Sequence, residues 1–245
     1  MTKITAHRGY SAKYPENTLI AFKAAAELGV ERIEFDIHHT KDKQLIIHHD
    51  YSLGHPDNGA GLIYNTNFDY ISSLNIEREK IPTLKEVLEA LKAYSLEFEI
   101  ELKGFSSEFL ECTIKLLSEF GLLSKVEFTS SNIPLLVHLK YSNPSLKIGL
   151  FLQPYPNWMN EELGIKMALS QLKLGGFTVA HIPKTILTAQ LIETLKKENF
   201  MIHIADCNDA DEMSRALEFK PDQISTNEVE LAFEVRKKLI SPQQY

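Results

Sequence analysis

Eight short apolar or alternating runs, each followed by a helical pattern, predict an α/β fold: a (β/α)8 TIM barrel with a short insertion after the second strand. The strand-like runs fall at 3–7, 31–37, 97–102, 125–130, 146–152, 174–180, 200–205 and 222–226. Helical runs alternate with them at 17–28, 83–94, 106–120, 132–141, 159–171, 188–198, 209–218 and 228–240. Eight such units in 245 residues suit a closed barrel. The competing doubly wound sheet would want a GxGxxG turn or a Walker lysine, and the sequence has neither.

The first strand ends on His7-Arg8-Gly9, and the helix after it has Asn17 or Thr18 as cap and Gly29 as stop. In the second strand, alternation places Ile33, Phe35 and Ile37 on one face and Glu34 and Asp36 on the other. The run Gln44–His48 follows after the polar turn Thr40–Lys43. That gap is too short for a parallel crossover, so the run is a hairpin arm. Residues 51–81 carry Gly54, Pro56, Gly59 and Gly61 and few helix-stabilising features, as a lid or small insertion would. Helix 83–94 opens with the capping box Thr83/Glu86 and repeats Leu84, Val87, Leu88 and Leu91 at helical spacing. In the third strand Ile100 and Leu102 share one face, and Glu99, Glu101 and Lys103 the other.

Composition narrows the function classes. The chain is 44% hydrophobic and 24% charged, which excludes wholesale disorder. Its 26 basic and 33 acidic residues give a net charge of −7, and generic binding to nucleic acid or an anionic membrane needs a basic face. No apolar run approaches the ~20 residues of a membrane span. The opening MTKITAHRGY lacks the apolar stretch of a secretory signal, and Cys112 and Cys207 read as reduced thiols, so a cytoplasmic protein is expected.

In a barrel the apolar face of strand 31–37 packs on the outer helices, and Glu34 and Asp36 point inward near the C-terminal end, where barrel active sites lie. Paired interior carboxylates need a cation or a proton, and hard oxygen ligands suit Mg²⁺ or Ca²⁺; solvated acids on an exposed edge are the alternative. Glu101 beside Lys103 repeats the device and suits a metal or phosphate site, or a plain ion pair. His7 and His49 are candidates for proton transfer, and Arg8 for a forked grip on phosphate. His38 shares the parity of the two carboxylates, which leaves a metal or supporting role open. Tyr155-Pro156-Asn157-Trp158 reads as a groove wall or as plain packing. Cys207 has no nearby histidine in sequence, and Ser130 and Ser131 lack a nucleophile elbow.

The ordered set resembles the glycerophosphodiester phosphodiesterase family of bacterial cytosolic type. His7–Gly9 matches its HRG, Pro15–Thr18 its PENT, and Glu34-x-Asp36 with Thr40-Lys41-Asp42 its second-strand signature. His49-Asp50 matches its HD, Ile81–Leu84 its iPTL, and Glu101-x-Lys103 its ExK. The resemblance implies one barrel domain over 1–245 with 51–81 as an insertion that contacts the glycerol moiety. It implies metal-dependent hydrolysis of a small-molecule glycerophosphodiester to an alcohol and sn-glycerol 3-phosphate. On that reading His7 and His49 are the acid–base pair, Glu34, Asp36 and Glu101 hold one Mg²⁺ or Ca²⁺, and Arg8 and Lys103 bind phosphate. The implied route is attack by the substrate's own 2-hydroxyl through a cyclic phosphate.

The chain departs from the family pattern at several places. Ala205-Asp206-Cys207-Asn208 stands where Trp-Thr-Val-Asn is usual, Thr226-Asn227 where Thr-Asp is, and Ser131-Asn132 where Ser-Phe is. His55 replaces a common arginine and Glu99 a common asparagine. The competing readings are a lysophospholipase D-like or phosphoinositide phospholipase-like enzyme and a non-catalytic binding barrel. Intact histidines and carboxylates count against the last. The alcohol group, the physiological metal and the oligomeric state are not encoded in any motif.

Overall fold

A computed structural model describes residues 1–240. Eight parallel strands close on themselves: β1 (Lys3–His7), β2 (Arg32–His39), β3 (Glu97–Leu102), β4 (Val126–Thr129), β5 (Lys147–Phe151), β6 (Val179–Ile182), β7 (Met201–Ile204) and β8 (Gln223–Thr226). Each pairs with its sequence neighbours, and β1 pairs with both β2 and β8. This is the expected (β/α)8 barrel.

Helices wrap the ring because each strand's outward face is apolar. On β2, Ile33, Phe35 and Ile37 are fully buried, and Phe35 packs against Phe22 of the helix α1 (Leu19–Glu27) and Phe98 of β3. Thr18 caps α1, accepting from the Ala21 N–H, and Gly29 follows with φ +83°, as the sequence predicts. Thr83 and Glu86 form the expected capping box at the start of α2 (Leu84–Leu91). Leu84, Val87, Leu88 and Leu91 are its buried stripe.

The sixth unit differs from the expectation of a strand at 174–180. The preceding helix, Glu161–Gly175, runs one turn further because Ala168 and Leu172 continue its buried stripe, and Gly176 at φ +64° ends it. The strand therefore begins at Val179 and extends to Ile182.

Leu45–Ile47 pairs antiparallel with the end of β2, as a hairpin arm should. Beyond it, residues 51–81 form two short antiparallel pairs and a six-residue helix, Phe68–Ser73. They close over their own apolar cluster of Ile46, Leu53, Ile63, Ile71, Leu74, Ile76 and Ile81. His48, buried, ties this segment down: one ring nitrogen lies 2.9 Å from Asp57 Oδ2 and the other 2.9 Å from the Asp50 carbonyl. Among the described residues no helix is long and apolar enough to cross a membrane.

Candidate active site

The barrel register puts Glu34 of β2 beside His7 of β1 and Asp36 of β2 beside Glu101 of β3. His7 is the last residue of β1 and Glu101 the last but one of β3, while β2 runs on past Glu34 and Asp36 to pair with the hairpin arm. One ligand atom from each of Glu34, Asp36 and Glu101 lies within 4.8 Å of the others. The structure thus brings the expected carboxylates together, along with Arg8 and Lys103. Lys103 Nζ donates to Glu101 Oε1 at 2.7 Å and lies 3.2 Å from Asp36 Oδ1. Arg8 Nη1 donates to both oxygens of Glu16, at 2.9 and 3.1 Å, while its Nε lies 3.5 Å from Asp36 Oδ2.

The loop after β1 needs unusual backbone. Arg8 at φ +57° and Gly9 at φ +82° turn it sharply enough for the Arg8 N–H to donate to Glu34 Oε2 at 2.9 Å. A Cβ on Gly9 would come within 2.7 Å of the Ala21 backbone, so only glycine lets the turn approach α1 this closely.

Three carboxylates and two cations leave an imbalance. Burial, and then the neighbouring Asp36, push Glu34 well above the usual carboxylate range. Glu101 is pushed up to about 7 by burial and by Asp36, against the pull of Lys103. Burial works in the same direction on Asp36, but Lys103 and Arg8 outweigh it and hold that carboxyl below its ordinary value. Asp36 Oδ1 is buried without a hydrogen-bond partner among the described residues. An all-oxygen trio short of positive charge, with an orphaned oxygen, fits a hard divalent cation.

The two histidines stand over this trio, and each is anchored through Nδ1. His7 Nδ1–H donates to Asn227 Oδ1 at 2.8 Å, with Asp206 Oδ1 3.8 Å away. His49 Nδ1–H donates to Asp50 Oδ1 at 2.7 Å. Both rings therefore keep Nε2 free for a reacting group. His7 Nε2 lies 3.9 Å from Glu34 Oε2. A cleft of about 540 Å³ opens beside Arg8 and His49, between the loop after β1 and the 51–81 segment; Lys13, Glu16 and His55 also line it.

His38 is not part of the trio. Its ring is buried beneath the His49 loop, with Nε2 3.4 Å from the His49 carbonyl and its plane at right angles to the Tyr51 ring. Burial, with His48 beside it, pushes His38 down to about 3, so it is a neutral prop for the loop that carries His49. Trp158 does not pack: it is 76% exposed on the loop after β5. Burial pushes the Cys207 thiol up to about 12, which keeps it from acting as a nucleophile.

Sequence reasoning missed the supporting residues. Asn17, at φ +57°, donates from Nδ2 to Asp36 Oδ2 at 2.9 Å, and Glu16 holds Arg8. Asn227 arrives from the far end of the chain. The first two lie inside the PENT motif quoted above, so the signal was present; for Asn227 the only sign was a departure from an expected Thr-Asp.

Comparison with known proteins agrees with the geometry. The profile of the Glycerophosphoryl diester phosphodiesterase family matches residues 7–231. A glycerophosphodiester phosphodiesterase of Caldanaerobacter subterraneus is 30% identical over 97% of this chain and 98% of its own. Among solved structures, the glycerophosphodiester phosphodiesterase of Thermotoga maritima superposes with a TM-score of 0.78 at 25% identity, covering 96% of this chain and 99% of that one. A phosphodiesterase of Oleispira antarctica, solved with the product sn-glycerol-3-phosphate, gives 0.85 at 23% identity over 97% of each chain. The chain is an enzyme of the glycerophosphoryl diester phosphodiesterase family.

Proposed function

We propose that this protein hydrolyses small glycerophosphodiesters to an alcohol and sn-glycerol 3-phosphate by two-histidine acid–base catalysis. The observation that carries the reading is the pair of Nδ1-anchored histidines over a carboxylate trio. His7, whose Nδ1–H is held by a neutral amide, takes the proton of the substrate's 2-hydroxyl at Nε2. That oxygen attacks phosphorus, and His49, backed by the Asp50 carboxylate, gives its proton to the departing alcohol oxygen. In the second step the roles exchange: His49 takes a proton from water, the water oxygen opens the cyclic phosphate, and His7 returns a proton to the 2-oxygen. Arg8 and Lys103 orient the phosphate oxygens. Glu34, Asp36 and Glu101 would hold one Mg²⁺ or Ca²⁺, which supplies positive charge against the phosphoryl oxygens and acidifies the hydroxyl.

The whole of 1–245 acts as one domain on this reading, and the 51–81 segment frames the glycerol end of the cleft. The free cysteines Cys112 and Cys207 suit a reducing compartment, which supports a cytoplasmic setting. Phosphate-product detection with a panel of glycerophosphodiesters, with and without chelator, tests the activity. A substrate analogue lacking the 2-hydroxyl should bind and not turn over; rates equal to the parent's mean that water attacks first, and the cyclic route is wrong. One observation favours a second reading, a lysolipid substrate: Phe105, stacked on Tyr51 yet 61% exposed, and Trp158 lie on loops at the same end of the barrel. Faster turnover of micellar lysolipids than of water-soluble diesters would select it.

A further inference from the structure

Beneath the proposed active site the barrel holds a second cluster: Glu99 of β3, Glu127 of β4, His181 of β6 and His203 of β7, all buried. Glu99 pairs in register with Glu127, and His181 with His203. Room for the layer comes from β5, where a Cβ on Gly149 would lie 2.4 Å from His181 Nε2 and 2.8 Å from Glu127 Oε1. The two imidazole rings lie 4.2 Å apart, centre to centre.

The hydrogen bonds of this layer gather on Glu127. Glu127 is fully engaged: Arg32 Nη1 donates at 3.0 Å, Gln223 Nε2 at 3.2 Å and His181 Nε2–H at 2.6 Å, and Lys147 Nζ lies 3.1 Å away. His181 Nδ1 faces Glu99 Oε1, 3.5 Å away, and has no hydrogen-bond partner among the described residues. His203 Nε2 has no hydrogen-bond partner among the described residues, and its Nδ1 lies 3.1 Å from Gln223 Nε2. That Nδ1 lies 3.2 Å from Glu99 Oε2, which is likewise orphaned. Two ring nitrogens and one buried carboxylate thus face one another with no hydrogen bond between them. A cation satisfies both nitrogens.

We propose that Glu99, His181 and His203 form a buried binding site for a divalent transition-metal ion of the Zn²⁺ class, with Glu127 as the outer carboxylate that orients His181. Two imidazoles and a carboxylate suit a borderline ion, whereas the all-oxygen trio above suits a hard one. A tetrahedral shell with metal–ligand bonds of about 2.0–2.2 Å sets ligand atoms roughly 3.3–3.6 Å apart, close to the 3.2 and 3.5 Å separations of Glu99 from the two ring nitrogens. A histidine that gives its other N–H to a carboxylate is the usual arrangement behind a metal ligand. Arg32 and Lys147 neutralise Glu127 and so reserve Glu99 for the ion; Arg32 is itself shared with Glu97, 3.9 Å from its Nε. The site is closed to solvent, so the ion enters as the chain folds.

The test is metal content, with no turnover measurement in the readout, so it is independent of the phosphodiesterase reading. The full chain is unfolded, stripped, refolded with Zn²⁺ or Co²⁺, treated with chelator and freed of loose ions. Folding is checked by circular dichroism. The folded wild type should keep one ion per chain, and the Co²⁺ form should show the visible bands of nitrogen ligation. Glu127→Gln should weaken retention by about 10- to 100-fold, and the double variant Glu99→Gln/His203→Asn should abolish it. Glu34→Gln/Asp36→Asn, which empties the upper trio, should leave it intact. A folded wild type that keeps no Zn²⁺ overturns the proposal. So does an ion lost from Glu34→Gln/Asp36→Asn but kept by Glu99→Gln/His203→Asn.

Discussion

At the C-terminal rim Glu34, Asp36 and Glu101 share the cations Arg8 and Lys103, whereas one layer down a single carboxylate, Glu127, is met by Arg32, Lys147 and Gln223 together. A cleft opens beside Arg8 and His49 of the upper layer, whose Glu34 and Glu101 are pushed upward. In the lower layer Arg32 overcomes burial and holds Glu127 well below the carboxylate range. The same residue types thus serve different ends. Unpaired charge near solvent is free to meet a ligand, and paired charge in the interior fixes how eight strands meet.

Changes at the rim should cost chemistry, and changes in the lower layer should cost stability. The largest effect expected is on turnover: His7→Ala and His49→Ala should each lower kcat by about 10² to 10⁴, the usual worth of positioned acid–base catalysis. Thermal unfolding should barely move. Their double variant should lose less than the product of the single losses, because the two act as a unit. Full activity in either single variant, read from steady-state rates on folded protein, would remove that histidine from the mechanism.

Arg32→Met is the converse case. It strands Glu127 as a buried charge, and breaking such a pair costs about 3–5 kcal/mol. Denaturant unfolding should show that loss while the folded fraction keeps its kcat. A drop in kcat per folded molecule, with stability unchanged, would merge the two layers into one functional unit.

The layers also differ in how far they were legible. Glu34 and Asp36 announce themselves because two carboxylates alternate with Ile33, Phe35 and Ile37 in one strand, and the parity of β2 then gives their direction. Glu127, His181 and His203 each stand alone among apolar neighbours in a four-residue strand, so sequence parity cannot say whether they face the helices or the axis. Their meaning comes from register between strands remote in the chain. The sixth strand was misplaced for a related reason: Leu174 reads as the start of an apolar run but is an 86% exposed residue in the last turn of a helix.

The pH dependence of stability should distinguish the layers further. In the metal-free protein Glu101 binds its proton more tightly folded than unfolded, with a folded value of about 7. The folded state then holds the extra proton between the ordinary carboxylate value and about 7. The stability this contributes is complete below that window and lost as pH rises through it. Denaturant midpoints should therefore fall across this range, and Glu101→Gln should flatten the slope. Saturating Mg²⁺ or Ca²⁺ should flatten it too, by binding the ionised form. A slope unchanged by either would mean that Glu101 is already ionised in the folded state.

The smallest effect expected is that of Arg8→Lys, and it bears on what each layer's arginine does. Arg32 is buried and committed to Glu127, while Arg8 is part-exposed at the cleft, held on one side by Glu16 and turned by its Nε toward Asp36. Lysine keeps the charge but cannot meet Glu16 and a phosphate oxygen in one planar fork. About tenfold should be lost from kcat/KM, the worth of one charge-assisted hydrogen bond, with little change in unfolding. If the fork grips phosphate in the ground state and the transition state alike, KM carries the loss; if it tightens only as charge develops, kcat does. Steady-state kinetics on Arg8→Lys beside Glu16→Gln separates these. Glu16→Gln leaves the guanidinium in place but loosens it, so it should reproduce part of the loss. An unchanged kcat/KM in Arg8→Lys would reduce Arg8 to a structural partner of Glu16, and the rim arginine would then differ from Arg32 only in its exposure.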